Sequence, residues 1–361
     1  MGAKSSVTHR VRVPFRAAVI GAGAISEPHL GFIRDSDSAD LVAVCDLSPT
    51  IARYTARRYG APQSFDDHTD LLAAVQPDVV HILTPPQTHG ILARDALSAG
   101  CHVIVEKPIA LTSEEFSALH ALALARGVVL TEDHNYRFNR PIRKLTEIVN
   151  QGMLGRVHYV DVEISAPQYL ASTRYNDRRY PSSSHQLPAG FIHEFITHLA
   201  YLTLLFMPTI DSVTSRWTRT DEGCLSPFDG LDASVEGGDA TGRIRFISTC
   251  YGSSIRVRVR GTAGEAEASV SPPALRLNTL RSVGSQLSPF YCQLQDGLIG
   301  ARSAIGGVAE RLLGKGGYEG VGVFLSDTYA SIASGLDAPV RTSEIAASLQ
   351  LIDQLIQGMQ S

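Results

Sequence analysis

The sequence lacks the features that mark three common classes of protein. Its five cysteines are an odd and scattered set with no Cys-x-x-Cys pair, which argues against a disulfide framework and against a zinc ribbon. No apolar run approaches the roughly 18 residues that a membrane helix needs. The N-terminal "MGAKSSVTHRVRVPFR" has no apolar stretch typical of a secretory signal. We therefore expect reduced, mostly buried thiols in a cytoplasmic protein with no membrane partner.

A strong excess of charge of one sign is also lacking. The formal net charge is -4 and the sequence pI is about 6.3, so nothing favours binding to nucleic acid. The chain has 361 residues and a hydrophobic share of 44%, enough for two or three domains with cores of their own.

The sequence also lacks a set of residues with the spacing of metal ligands. The stretch "FIHEFITHLAYL", residues 191–202, carries two histidines and a glutamate but not the His-Glu-x-x-His order of a zinc protease. His193 and His198 are five residues apart, or roughly 140° around a helix axis, so one helix cannot offer both to one ion. No other cluster has ligand spacing, and we predict no metal. Glu194 and His198, at i and i+4, do share a helix face.

From Phe15 to about Asn135 short apolar runs alternate with helix-like stretches of ten to fifteen residues. Apolar strands joined by helices predict a doubly wound parallel sheet covered on both faces. After residue 138 alternating strands with few helices predict an α+β region with a large, mainly antiparallel sheet. We predict a flexible tail over residues 1–14, a dinucleotide-binding domain over 15–137 and a substrate-binding and oligomerisation domain over 138–361.

One alternating strand, "IRVRVR", places three arginines on one face. A hairpin turning at "GTAG" would set Arg260 opposite Glu265 and Arg258 opposite Glu267. Opposite charges on paired strands stabilise a sheet modestly. We therefore interpret this face as paired charges and not as a phosphate-binding stripe.

The first strand leads into Gly21-x-Gly23-x-x-Ser26 and then a helix. Gly21 permits the tight turn, and Gly23 lets a pyrophosphate approach the backbone at the helix start. Asp46 ends the second strand, where a carboxylate accepts hydrogen bonds from the adenosine ribose and repels a 2′-phosphate. This pattern predicts NAD in preference to NADP, held by Gly21, Gly23, Ala24, Ile25 and Asp46.

The most specific residues follow the next two strands. "TPPQTH" leaves one strand end and "EKP" leaves the next, at the sheet edge where ligands of open α/β sheets bind. Together with "NYRFNRPIRKL" and "VRGTAGEAEAS" they make the chain resemble the glucose–fructose oxidoreductase/inositol dehydrogenase/rhizopine-catabolism (Gfo/Idh/MocA) family of NAD(P)-dependent oxidoreductases. The resemblance implies further cofactor contacts at Thr84, Pro85, Pro86, His89, Glu106 and Lys107, and a cis bond before Pro108.

The resemblance also gives the 191–202 helix a role. In that family it carries an aspartate and, four residues later, a histidine; here Glu194 and His198 take those positions after the small pair Ala189-Gly190. Glutamate is a departure that moves the carboxylate by one methylene. The resemblance implies that Lys107, Glu194 and His198 are catalytic, with Tyr136 and Arg137 also near the substrate.

Oxidation of an alcohol requires a base at its hydroxyl, and either His198 or Lys107 suits this role. We favour His198 as base with Lys107 polarising the oxygen. Two structural alternatives stay open: Glu194 and His198 as a solvent-exposed helix pair, and Arg137 as a salt bridge between domains instead of a bidentate clamp on a substrate carboxylate or phosphate.

These residues predict hydride transfer between nicotinamide and a secondary alcohol or ketone of a sugar, nucleotide sugar or cyclitol. One alternative is a catalytically silent regulatory protein that senses dinucleotide on the same fold. Another is a dehydrogenase of dihydrodiols or imines. By family resemblance the C-terminal sheet forms a homodimer or homotetramer interface.

Overall fold

The structure, a computed structural model, describes residues 14–360 except 167–176, 178–181, 250–251 and most of 280–318. The predicted N-terminal tail lies outside the described residues apart from Pro14. Most of the polar segment 168–188, which the sequence predicts to be a loop that supplies substrate specificity, also lies outside them. The chain forms two compact units. The first comprises the described residues of 1–111, 115–133 and 322–341, and the second those of 112–114, 134–321 and 342–361.

The strands within the described residues are, in chain order, β1 Phe15–Ile20, β2 Ala39–Cys45, β3 Gln63–Phe65, β4 Val79–Ile82, β5 His102–Val105, β6 Leu130–Glu132, β7 Val157–Ser165, β8 Ser212–Thr218, β9 Gly230–Gly237, β10 Ala240–Ile247, β11 Ser254–Gly261, β12 Gly264–Val270 and β13 Pro273–Thr279. The α-helices in the same part of the chain are α1 Ser26–Asp35, α2 Pro49–Tyr59, α3 His68–Val75, α4 His89–Ser98, α5 Ser113–Arg126, α6 Arg140–Asn150, α7 Ile192–Leu204, α8 Glu319–Ser334 and α9 Thr342–Gln357.

The first unit is built on a six-stranded parallel sheet in the order β3-β2-β1-β4-β5-β6. This is the strand order of a Rossmann fold, in which ligands bind beyond the carboxyl ends of the strands. All four residues of β4 are buried, and so are three of the four in β5. The helices have clear sequence signals: Ser48 caps α2 ahead of Pro49, and Gly60 ends it in the left-handed conformation.

The second unit holds a seven-stranded sheet in the order β13-β12-β11-β7-β10-β9-β8. β7 and β10 are parallel and the other neighbours antiparallel. One face packs against α6 and α7 around a shared apolar core. On β11 the valines at 257 and 259 are fully buried while Arg256 and Arg260 are exposed, which is the alternation of a sheet covered on one side.

The predicted fold class is confirmed, and so is the pairing of Arg258 with Glu267 and of Arg260 with Glu265. Two strands were not predicted. β3 has only three residues, and β9, "GLDASVEG", carries glycine and aspartate, which are rare in strands. Among the described residues no helix is both long and apolar enough to span a bilayer.

Candidate functional site

The loop after β1 has the backbone that its glycines predict. Gly21 has φ 96°, and a β-carbon there would lie 2.7 Å from the carbonyl carbon and oxygen of Leu83. A β-carbon on Gly23 would meet nothing within 4 Å. Gly23 and Ala24 are exposed, and Ser26 donates its hydroxyl to the Gly23 carbonyl at 2.7 Å. The first glycine is therefore required by the fold, whereas the second leaves space at the start of α1 that suits a pyrophosphate.

Asp46 lies just past β2 beside this loop. Its Oδ2 accepts the N–H of Ala22 at 3.0 Å and its Oδ1 accepts the N–H of Ser48 at 2.9 Å. The carboxylate thus ties the glycine loop to the end of β2. Each carboxylate oxygen can accept more than one hydrogen bond, so the half-buried side chain keeps capacity for a ribose hydroxyl.

Two turns at the ends of β4 and β5 are held together by His89. Its Nδ1 lies 2.7 Å from the carbonyl oxygen of Pro108, and its Nε2 lies 2.7 Å from that of Thr84. Both partners are acceptors, so a neutral ring can satisfy one and an imidazolium both. Burial lowers the pKa of His89, against the opposing effect of the two carbonyls. His89 thereby fixes Thr84-Pro85 relative to the Lys107–Pro108 bond, which is cis as the resemblance implied.

Lys107 is half-buried on this turn, and Glu106 before it is only 5% exposed. A Glu106 carboxylate oxygen accepts the backbone N–H of Lys107 at 3.1 Å. Burial, and next the charge of Asp133, raise the pKa of Glu106 to about 8. At neutral pH the favoured form of Glu106 is therefore the protonated one. Pro86 is buried at the start of the turn Pro86–Thr88.

The first unit also holds a row of buried polar side chains that was not predicted from the sequence. Asp133 Oδ2 is 3.5 Å from His29 Nε2, His29 Nδ1 is 3.0 Å from His81 Nδ1, and His81 Nε2 is 2.9 Å from the Tyr329 hydroxyl. Burial, then the neighbouring His29, lowers the pKa of His81 well below its usual value. Among the described residues, His29, Glu106 and Asp133 form the one group able to offer three metal-ligand atoms close together. A histidine inside the apolar strand "VVHI" was the available signal.

In the second unit α7 carries the predicted Glu194 and His198. The turn before it requires Gly190, because φ is 57° and a β-carbon would lie 2.0 Å from Ser226 Oγ. Glu194 is half-buried in the first turn of the helix, and His198 is 3% exposed. The Nδ1 of His198 bonds the hydroxyl of Tyr201 at 2.8 Å, a partner that the sequence analysis did not name. His193 is also buried.

Tyr136 and Arg137 lie in the 3-10 turn Asn135–Phe138 of the same unit. The Tyr136 ring packs on His198 with centroids 4.3 Å apart. Arg137 pairs with Glu344 at 2.9 Å, and its side chain is 25% exposed. Tyr136 therefore lies beside the predicted catalytic histidine. Arg137 and Glu344 both belong to the second unit, so this ion pair is not the salt bridge between domains that was left open.

Comparison with known proteins places the chain in a family. Residues 15–134 match the model of an oxidoreductase family with an NAD-binding Rossmann fold, Gfo/Idh/MocA. The chain is 34% identical over 238 residues to the 4-carboxy-2-hydroxymuconate-6-semialdehyde dehydrogenase of Sphingobium sp., an alignment covering 65% of this chain and 72% of that protein. The chain belongs to the Gfo/Idh/MocA family.

Other Gfo/Idh/MocA relatives match over less of their length. The D-glucoside 3-dehydrogenase of Escherichia coli is 38% identical over 146 residues, which is 40% of this chain and 42% of that protein. The 1-carboxy-3-chloro-3,4-dihydroxycyclohexa-1,5-diene dehydrogenase of Comamonas testosteroni is 30% identical over 226 residues, which is 61% of this chain and 56% of that protein. The chain thus spans about half the length of the first relatives it matches. A levoglucosan dehydrogenase with NADH and levoglucosan shares the fold, at TM-score 0.79 and 17% identity over 96% of this chain and 97% of that one.

Proposed function

We propose that this protein is an NAD-dependent oxidoreductase that moves a hydride between nicotinamide and a secondary alcohol or ketone of a sugar, nucleotide sugar or cyclitol. The observation that carries the proposal lies in the first unit. Gly21 is required by the turn, Gly23 leaves open space, and Asp46 holds the loop from the neighbouring strand end. A dinucleotide site needs this combination of close backbone approach and an acid near the ribose.

The residues proposed to hold the cofactor are Gly21, Gly23, Ala24, Ile25, Asp46, Thr84, Pro85, Pro86, His89, Glu106 and Lys107. When bound, NAD supplies the carbon that accepts or returns the hydride. The glycine loop presents backbone N–H groups to the pyrophosphate. Asp46, already accepting from the N–H of Ala22, would repel the 2′-phosphate of NADP, which supports NAD over NADP.

Titration of the protein with NADH and, separately, with NADPH by nicotinamide fluorescence tests this part. We expect micromolar binding of NADH and at least tenfold weaker binding of NADPH, equivalent to about 1.4 kcal/mol. Preference for NADPH would show that Asp46 does not face the ribose. Binding of neither nucleotide would remove the oxidoreductase proposal.

At the substrate, we propose that Lys107 and His198 act on the reacting oxygen, one taking its proton and the other polarising it. Glu194, Tyr136 and Arg137 are proposed to shape the same substrate site. Screening sugars and cyclitols with NAD⁺, with formation of NADH as the readout, tests the substrate class.

A second candidate keeps the chemistry and changes the substrate. The names of two relatives indicate substrates that are not carbohydrates. They are the semialdehyde dehydrogenase of Sphingobium and the dihydroxycyclohexadiene dehydrogenase of Comamonas testosteroni. Cyclic dihydrodiols therefore belong in the same screen. A silent dinucleotide-sensing role predicts NADH binding with turnover of none of these compounds.

For assembly, we propose a homodimer or homotetramer through the polar face of the second sheet. That face carries arginines and acids, including Arg245 with Glu163 and Arg258 with Glu267. Light scattering coupled to gel filtration tests this, and a monomer would refute it.

A cytoplasmic location is supported by the buried free thiols Cys45, Cys101 and Cys224; burial raises the pKa of Cys45 to about 12.

A further inference from the structure

Tyr201 lies one helical turn beyond His198 on α7 and is 4% exposed. Its hydroxyl oxygen is 2.8 Å from His198 Nδ1 and 3.1 Å from the backbone nitrogen of Tyr136. The rings of Tyr201 and His198 are nearly perpendicular, at 85° with centroids 5.5 Å apart. One hydroxyl therefore joins the histidine to the turn that carries Tyr136.

The two hydrogen-bond partners of the Tyr201 hydroxyl differ in whether they can donate or accept. The backbone N–H of Tyr136, which it shares with Asn135 Oδ1 at 2.8 Å, can only donate. The Tyr201 oxygen accepts there, which favours donation of its own hydrogen to the Nδ1 of His198 at 2.8 Å. A hydroxyl that accepts from an amide is polarised into a better donor, because hydrogen bonds in chains strengthen one another.

The orientation of Tyr201 is fixed independently of this hydroxyl. Its ring stacks on the buried imidazole of His134, with centroids 4.2 Å apart and an interplanar angle of 16°. It also belongs to the apolar core of the second unit. The phenol therefore cannot turn away from His198 without loss of packing.

We propose that Tyr201 is a positioning residue that donates its hydroxyl hydrogen to Nδ1 of His198 and holds this histidine as the Nε2–H tautomer. In this form His198 is a hydrogen-bond donor at Nε2 and has no free lone pair there. Resting on the proposed function, this gives His198 the role of polarising the substrate oxygen. The proton of the substrate hydroxyl then goes to Nζ of Lys107 in its neutral amine form, which becomes the ammonium; this reverses the assignment favoured from the sequence.

The tautomer can be measured without any substrate. Protein labelled with ¹⁵N at histidine, with the His198 signals assigned by their loss in His198→Asn, gives the protonation of each ring nitrogen by NMR. We expect a proton on Nε2 alone in the wild type at neutral pH. In Tyr201→Phe, which keeps the ring and its stacking, we expect a mixed population. A proton on Nδ1, with or without one on Nε2, overturns the proposal, and so does an unchanged spectrum in Tyr201→Phe.

Tyr329→Phe is the matched control, since it removes a buried hydroxyl bonded to a different histidine, His81, in the other unit. It should leave the His198 signals in place. Once a substrate is known, Tyr201→Phe should lower kcat about 10–100-fold, by analogy with the partners that orient metal-binding histidines, with the Kd for NADH unchanged. Failure to bind NADH would refute the proposed function while leaving the tautomer measurement decisive for Tyr201.

Discussion

In the first unit the central strands are buried along nearly their whole length, whereas in the second unit buried and more exposed residues alternate along the strands. The parallel sheet is covered by helices on both faces, so a polar side chain within a strand is buried, as His81 is in β4, while the half-buried Asp46 and Lys107 lie at strand ends. The second sheet is covered on one face, so its polar residues spread over the other as arginine–acid pairs. A polar residue is thus more informative in the first sheet, because burial leaves few places for it.

The largest effect expected from this contrast is on catalysis. Lys107→Met should lower kcat by about 10²–10⁴, the usual contribution of a proton-transfer group. His198→Asn should lower it by about 10²–10³, as for loss of a donor to a reacting oxygen. Steady-state kinetics on a substrate from the screen measures both, with fluorescence titration for the cofactor.

The two variants should differ in one respect. His198→Asn lies in the second unit and should bind NADH as the wild type does, while Lys107→Met should also weaken NADH binding. A tenfold loss of NADH affinity in His198→Asn would contradict the division of roles between the units.

Gly21→Ala and Gly23→Ala separate fold from ligand within the first unit. Alanine at 21 has to adopt φ 96° and places a β-carbon 2.7 Å from Leu83 backbone atoms. We expect it to destabilise the unit by about 2–5 kcal/mol, from strain and overpacking. Alanine at 23 meets nothing within 4 Å, so it should keep the wild-type Tm and lose NADH affinity.

Calorimetry and titration of the same two preparations check this pair. A wild-type Tm for Gly21→Ala would show that the loop adapts and that its first glycine is not required by the backbone.

Much of the first unit was predictable because its signals are local. A glycine turn, a strand-terminal acid and a Lys-Pro pair follow apolar strands directly, and the chain order of the strands sets the sheet edge at which they meet. Strand β3 was not predicted because three residues are too few to show an alternating pattern. The cluster of Asp133, His29 and His81 was not predicted because its proximity depends on how α1 packs against the sheet, which no sequence spacing specifies.

The partner of His198 was only half predictable. A tyrosine three residues after a histidine on one helix is within reach of it, so the pair was visible in the sequence. The hydroxyl's second partner, the N–H of Tyr136, is 65 residues away in the chain. That amide is the contact that favours Tyr201 as the donor to His198, and with it the proposed tautomer.

A smaller effect concerns the pH dependence of stability in the first unit. The pKa of Glu106 is about 8 when folded, against an ordinary 4.5. Between these values the unfolded chain releases a proton that the folded protein keeps, so stability falls as pH rises from about 4.5 to 8. Glu106→Gln stays neutral and should show a smaller fall.

Thermal unfolding at pH 5 and pH 8 gives the change in Tm for each protein. Exposed Glu27→Gln, whose side chain pairs with Arg58 at the surface, should keep the wild-type fall. An identical pH response in Glu106→Gln and the wild type would show that the buried carboxyl is ionised in the folded state.

The smallest effect is predicted on the second sheet, where adjacent residues of β11 face opposite sides. Val259→Ala removes two fully buried carbon atoms and should cost about 2 kcal/mol, at about 0.8 kcal/mol per carbon plus the cavity. Arg260→Ala removes a pair with Glu265 that is nearly half exposed and should cost about 0.2–1 kcal/mol, less at high salt. Urea denaturation in low and high salt separates the two. If Arg260→Ala lowers the free energy of unfolding more than Val259→Ala does at low protein concentration, the charged face stabilises the single subunit. If the loss of stability in Arg260→Ala appears only as the protein concentration is raised, the face acts between copies of the chain, as the proposed oligomer requires.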